Sequence, residues 1–194
     1  MSRSKLAGVL ALVPLFAVGA CSSSEPSTSP DPTSSATVAS DPTVVSVASL
    51  TGKLDDAARS GVSEAVATVV SDYLDAAYLG DFPRADLSGA FGSFTAGAKA
   101  RAVKDQDLLT SAALSDQITS ATETAGTVAL DILASRGQAA GVTARWTLTF
   151  DTEGALASTQ TVRGSFDLTP VEGGWQVFGY DVEQGPTAPT GAVQ

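Results

Sequence analysis

Val142-Thr143-Ala144-Arg145-Trp146-Thr147-Leu148-Thr149-Phe150 alternates apolar and polar side chains without a break. In an extended chain successive side chains point to opposite faces, so Val142, Ala144, Trp146, Leu148 and Phe150 share one side. Thr143, Arg145, Thr147 and Thr149 take the other. One apolar face and one wet face mark a strand of an antiparallel sheet that is packed on one side only. The same period extends in both directions. Residues 127–134 put Val128, Leu130 and Ile132 on one face. Residues 162–168 oppose Val162, Phe166 and Leu168 to Arg163, Ser165 and Asp167, and residues 175–182 close the set. Arg136-Gly137, Glu153-Gly154 and Gly173-Gly174 supply the turns between them. The spacing predicts a meander of four strands, with Trp146 and Trp175 as core anchors.

Before this sheet the period is helical. Val62, Ala65, Val66, Val69, Val70, Tyr73, Leu74 and Ala77 form one apolar stripe on a long helix. Ser60 or Ser63 would cap its start and Gly80 would end it. Phe82-Pro83 opens an irregular stretch, and a second helix is predicted over 95–103. A short third helix would follow Asp107 as its N-cap. Helices followed by an antiparallel meander define an α+β domain over residues 54–184.

The flanks read differently. Arg3 and Lys5 precede an apolar run from Leu6 to Val18, too short for a membrane span, which needs about 20 residues. It reads as the core of a secretory signal over residues 1–20. Val18-Gly19-Ala20-Cys21 resembles a lipobox, with Val18 where Leu is commoner. That resemblance implies a diacylglyceryl group, and so palmitate-type acyl chains, on Cys21. Ordinary cleavage after Ala20 suits the same small residues, but the position of the only Cys at the cleavage point favours lipidation. Two acyl chains give a stable anchor, since each buried CH₂ contributes roughly 0.8 kcal/mol. Residues 21–53 are rich in Ser, Thr, Pro and Asp and read as a disordered tether; residues 185–194 read as a disordered tail. The expected location is the outer face of the cytoplasmic membrane.

Composition excludes several function classes. The 194-residue chain has net charge -10 and a pI near 4.2, which opposes binding to nucleic acid phosphates. It contains no His and one Cys, so His-based triads, an internal disulfide and multi-thiolate zinc sites are excluded. No cofactor or metal site is expected: Asp105-x-Asp107 and Asp151-x-Glu153-Gly154 lack the oxygen ligands of a calcium loop. Arg145 and Arg163 share a predicted face near Asp167, as a charge ladder or an anion pocket.

The order of elements resembles the NTF2-like superfamily, a cone made by a curved sheet around N-terminal helices. The helix through Tyr73-Leu74, the segment Gly80-Asp81-Phe82 and the closing strand Trp175-Gln176-Val177-Phe178-Gly179-Tyr180-Asp181-Val182 carry the resemblance. Such domains occur on membrane-anchored proteins of GC-rich Gram-positive bacteria, including Mce-associated proteins. No Gly-rich phosphate loop, paired-carboxylate motif or nucleophile elbow is present in the sequence, which, with the lipobox and tether, favours a non-catalytic binding or accessory module for a protein, a wall component or a small apolar ligand. Some relatives in that superfamily are isomerases or dehydratases with an Asp base, for which Asp131 and Tyr180 are the weak candidates here. Asp131 faces away from Val128, Leu130 and Ile132, and adjacent Tyr180 and Asp181 cannot point the same way. A third alternative is a self-assembling structural domain that forms a homodimer through the sheet.

Overall fold

The computed structural model describes residues 43–185 and 188–189. Cys21, the expected signal segment 1–20 and the expected tether up to residue 42 lie outside the described residues, as does most of the expected tail. The fold is mixed α+β, with a curved, unclosed and mainly antiparallel sheet.

The first described element is a strand, β1 (Val44–Thr51). This corrects the expected tether, which ran to residue 53. Val44, Val45, Val47 and Leu50 favour extended backbone, whereas the Ser and Thr around them set the average composition. Helix α1 (Asp56–Tyr78) follows. Its N-cap is Asp55, whose carboxylate accepts from the Ala58 amide at 2.7 Å, not Ser60 or Ser63 as expected. Gly80, expected to end the helix, lies just beyond the cap at Leu79 with φ 95°. It opens the two-residue strand β2 (Gly80–Asp81). A 3₁₀ turn, Ser88–Phe91, leads to α2 (Ala96–Ala102), capped by Thr95. Next comes the one-turn α3 (Gln106–Leu109), which starts before Asp107; its cap position is Asp105. A second 3₁₀ turn, Ser111–Leu114, leads into the sheet.

Four long strands form the meander: β3 (Ile118–Ser135), β4 (Gln138–Gly154), β5 (Ser158–Val171) and β6 (Gly174–Gln184). The sheet exceeds the expected four strands because β1, β2 and β7 (Ala188–Pro189) join it. The main path is β1-β3-β4-β5-β6. Strand β1 pairs parallel with β3, while β2 pairs with β3 and β7 with β5 at the margins. The two residues of β7 fall within the expected tail.

The alternation read from residues 142–150 is kept throughout β4: Val142, Ala144, Trp146, Leu148 and Phe150 are all buried. They meet Val66, Val70, Tyr73, Leu74 and Ala77 of α1 in one core on the inner side of the sheet. Each fully buried Leu or Phe contributes about 1.5–3 kcal/mol by removal from water. Trp175 is only half-buried at the margin of that core.

Candidate functional site

Two places could carry function: the interior beneath α1 and the wet outer face of the sheet. The interior is closed by aromatic rings. Tyr73 sits edge-on to Phe166 at 4.8 Å between centroids, and also packs near Phe94, Trp146 and Tyr78. Gly164 makes this packing feasible. It faces inward on β5 beside Trp146, and a Cβ there would lie 2.5 Å from Cζ2 of the indole.

The polar groups of the interior are phenols, an indole, hydroxyls and the carboxamide of Gln160, which donates to Ser158 at 2.8 Å. The Tyr73 hydroxyl donates to the Leu109 carbonyl at 2.5 Å and lies 3.5 Å from the Tyr78 hydroxyl. Burial raises the Tyr73 phenol well above its ordinary value, with a further rise from Tyr78. Burial raises Tyr78 as well. Both rings therefore stay neutral hydrogen-bond donors at physiological pH. Ser111 Oγ and Trp146 Nε1 are buried with no hydrogen-bond partner. Ser111 and Tyr78 line a cavity of about 20 Å³. That volume suits one water molecule at most. Among the described residues, no Asp or Glu is buried.

The outer face is built from the polar half of each strand. Asp131 on β3 is the candidate base singled out from sequence, and it lies on this face. Ser49 of β1 donates to its Oδ1 at 2.6 Å, and Arg145 of β4 pairs with its Oδ2. The Ser49 hydrogen bond, followed by Arg145, holds the Asp131 carboxyl below its usual range. A low pKa and a bound guanidinium suit a structural carboxylate, not a base poised near neutrality.

Tyr180, the second candidate, is on the other side. It is opposite Phe166 on the inner side of the sheet, and its ring packs beside Phe94. Its hydroxyl donates to Asp105 at 2.8 Å. Partial burial, then that carboxylate, raises the phenol. Asp131 and Tyr180 are thus not brought together. Arg145 and Arg163 do share the outer face, as expected. The partner of Arg145 is Asp131, however, while Asp167 accepts from Thr143 at 2.8 Å.

Two shallow hollows occupy the outer face. One, of about 360 Å³, is lined by Arg145, Thr147, Arg163, Ser165, Asp181 and Glu183. The other, of about 340 Å³, includes Asp131, Leu133, Thr143, Asp167 and Phe178. The Asp131–Arg145 pair stands between them, since one member lines each. Leu133 and Phe178 are about half exposed, an apolar contribution to a mostly hydroxyl and charged surface. Sequence reasoning missed the Ser49–Asp131 and Asp105–Tyr180 contacts. Both bridge elements distant in sequence, and no local period reports such pairs. Among the described residues, no group of three or more Asp, Glu, Cys or His gathers as a metal site would require, and no helix is long and apolar enough to cross a membrane.

Comparison with protein families, with curated proteins and with solved structures finds no match to this chain.

Proposed function

We propose that this protein is a lipid-anchored cell-envelope protein, held at the outer face of the cytoplasmic membrane through Cys21. Its domain, of NTF2-like kind, acts as a non-catalytic binding or accessory module. Its partner is an envelope protein, a wall component or a small apolar ligand, met by an outer face that sets Thr, Arg and Asp side chains beside exposed Leu133 and Phe178. One observation carries this reading: the interior is packed with aromatic rings and holds no buried carboxylate among the described residues, whereas the outer face offers two open hollows lined by Thr, Arg and Asp side chains together with Trp146, Leu133 and Phe178. An isomerase-type site would need an acid or base in an apolar pocket, where its pKa can be tuned. Asp131 lies instead in a solvated ion pair.

Two experiments test the two halves. Metabolic labelling with a palmitate analogue should mark the wild type and not Cys21→Ala; equal labelling of both, or of neither, would end the anchor proposal. A photo-crosslinking residue placed at Thr147 or Ser165 in whole cells should capture envelope material, while one at exposed Asp72 on α1 should not. Equal capture at all three positions would remove the outer face as the binding surface.

A further inference from the structure

The two edges of the sheet are treated differently. Strand β6 is covered. The Thr95 amide donates to the Val177 carbonyl and the Val177 amide to the Ser93 carbonyl, each at 2.9 Å. Further along, Arg101 donates to the Phe178 carbonyl, and Gln184 reaches back to the Leu108 carbonyl at 3.0 Å. Strand β1, at the opposite edge, pairs with β3 alone among the described residues. Its eight residues, Val-Val-Ser-Val-Ala-Ser-Leu-Thr, contain no charge and no proline. Val44, Val45 and Val47 are 63%, 40% and 38% exposed. Proteins usually protect such an edge with Lys, Pro, a bulge or a covering segment, because its unpaired N–H and C=O groups invite another strand; among the described residues β1 has only the irregularity between Val47 and Ser49.

We propose that β1 is a self-association edge: a second copy of this chain pairs antiparallel with it across a two-fold axis between Val47 and Ala48. The strand is self-complementary in that register. Val45 would face Leu50 of the second copy on the inner side, and Ser46 would face Ser49 on the outer side. Val44 would face Thr51. The irregularity of β1 between Val47 and Ser49 falls on the axis, so the new ladder is interrupted only at its centre. Opposite residues of an antiparallel pair share a face, and every pair here matches apolar with apolar, hydroxyl with hydroxyl, or Val with Thr.

Charge at the strand ends points to the same occupant. The Thr43 hydroxyl donates to Glu123 at 2.6 Å, which fixes a carboxylate at the N-terminal end of β1. Lys53 lies exposed just past the C-terminal end, followed by exposed Asp55 and by Asp56, which is paired with Arg59. Antiparallel pairing sets each Lys53 beside the other copy's Glu123, twice per dimer. Beside the edge, a hollow of about 280 Å³ between β1 and the start of α1 is lined by Val45, Val47, Ser60 and Ser63 and by the Asp56–Arg59 ion pair. It leaves room on the inner side for the incoming strand's side chains.

Sedimentation velocity of the full chain under reducing conditions, over a range of concentrations, tests the proposal. The wild type should show a monomer–dimer equilibrium. Val45→Lys, and separately Lys53→Glu, should each weaken it at least about tenfold without changing the circular dichroism spectrum. The double variant Lys53→Glu with Glu123→Lys should return it to within about threefold of wild type, as expected for a swapped charge pair. Should Val45→Lys fail to fold, the charge-swap series decides alone. A chain that stays monomeric up to its solubility limit would overturn the proposal. So would a dimer lost with Leu133→Lys or Phe178→Lys but kept in the β1 variants, which would assign association to the sheet face. A monomer whose β1 amides are already protected from hydrogen exchange would overturn it too, by showing the edge covered from within the chain.

Discussion

Replacing Gly164 by Ala adds one methyl group at a crowded point of the sheet. The new Cβ would lie 2.5 Å from Cζ2 and 2.9 Å from Cε2 of Trp146, and 2.7 Å from the Asp181 carbonyl oxygen. None of these neighbours yields easily. Trp146 is 2% exposed and packed against Tyr73, Tyr78 and Phe166, and the carbonyl belongs to the adjacent strand. Overpacking of this kind costs about 1–3 kcal/mol, and the backbone contact places Gly164→Ala at the upper end. For a domain of this size about 3 kcal/mol lowers Tm by roughly 6–12 °C. Trp146→Leu alone would lose about 3 kcal/mol through the cavity it opens. The two changes should not add: removing the indole vacates the space that the methyl needs. The double variant is expected to lie about 1–2 kcal/mol above the sum of the singles, the remaining penalty coming from the Asp181 carbonyl. Urea unfolding followed by circular dichroism measures all four corners of the cycle. A cost below about 0.5 kcal/mol for Gly164→Ala, or strict additivity, would refute the packing described here.

Three other outcomes are expected. Asp131→Asn should lower stability by less than about 1 kcal/mol at pH 7, because the pair with Arg145 is solvated. Since the folded-state pKa of Asp131 is depressed, its contribution is present above the unfolded value near 3.9 and disappears as pH falls through the lower folded value. Urea melts should therefore show a wild-type advantage at pH 7 that shrinks progressively as the pH is lowered below about 3.9. Tyr73→Phe leaves the Leu109 carbonyl without its donor and should cost about 1–2 kcal/mol, with faster amide exchange in residues 106–114. Equal exchange in that segment would place its restraint elsewhere. Finally, Tyr73 and Tyr78 have raised pKa values, so their contribution is complete below the unfolded value near 10 and declines as pH rises past it. Absorbance titration should show their ionisation coinciding with alkaline unfolding; ionisation with the near-ultraviolet circular dichroism intact would contradict their burial.

The meander was legible because one-sided burial writes itself into the sequence with period two. Residues 142–150 lie within β4 with every assigned face correct, and the apolar stripe of α1 was read from its period of 3.6. What escaped was structure whose pattern is not periodic. Strand β1 is mostly exposed at an edge, so burial imposes little alternation on it, and the Ser and Thr nearby made it look like tether. The cap of α1 was misplaced because Asp55 stands before the apolar stripe begins, whereas Ser60 and Ser63 lie inside the helix. On the outer face, the placement of Asp131 and the pairing of Arg145 differ in kind. The first follows from alternation alone, while the second depends on strand register, which turns and bulges decide. Gly164 gave no local signal: its meaning comes from an indole on the neighbouring strand.

The position of β1 at the start of the fold has a mechanical consequence. Residues 1–42 precede this strand in the chain, so a pull transmitted along the backbone from that side reaches Thr43, with its bond to Glu123, and then Val44. Strand β1 pairs parallel with β3 from Val44–Thr127 to Thr51–Leu133, and this ladder carries the load next. A pull along the strand axis loads the rungs in shear, where they resist together. A pull across the sheet loads them one after another, beginning with the pair nearest the force. The same attachment is therefore strong in one direction and a zipper in the other, and the direction of the tug decides whether the domain holds its first strand or releases it.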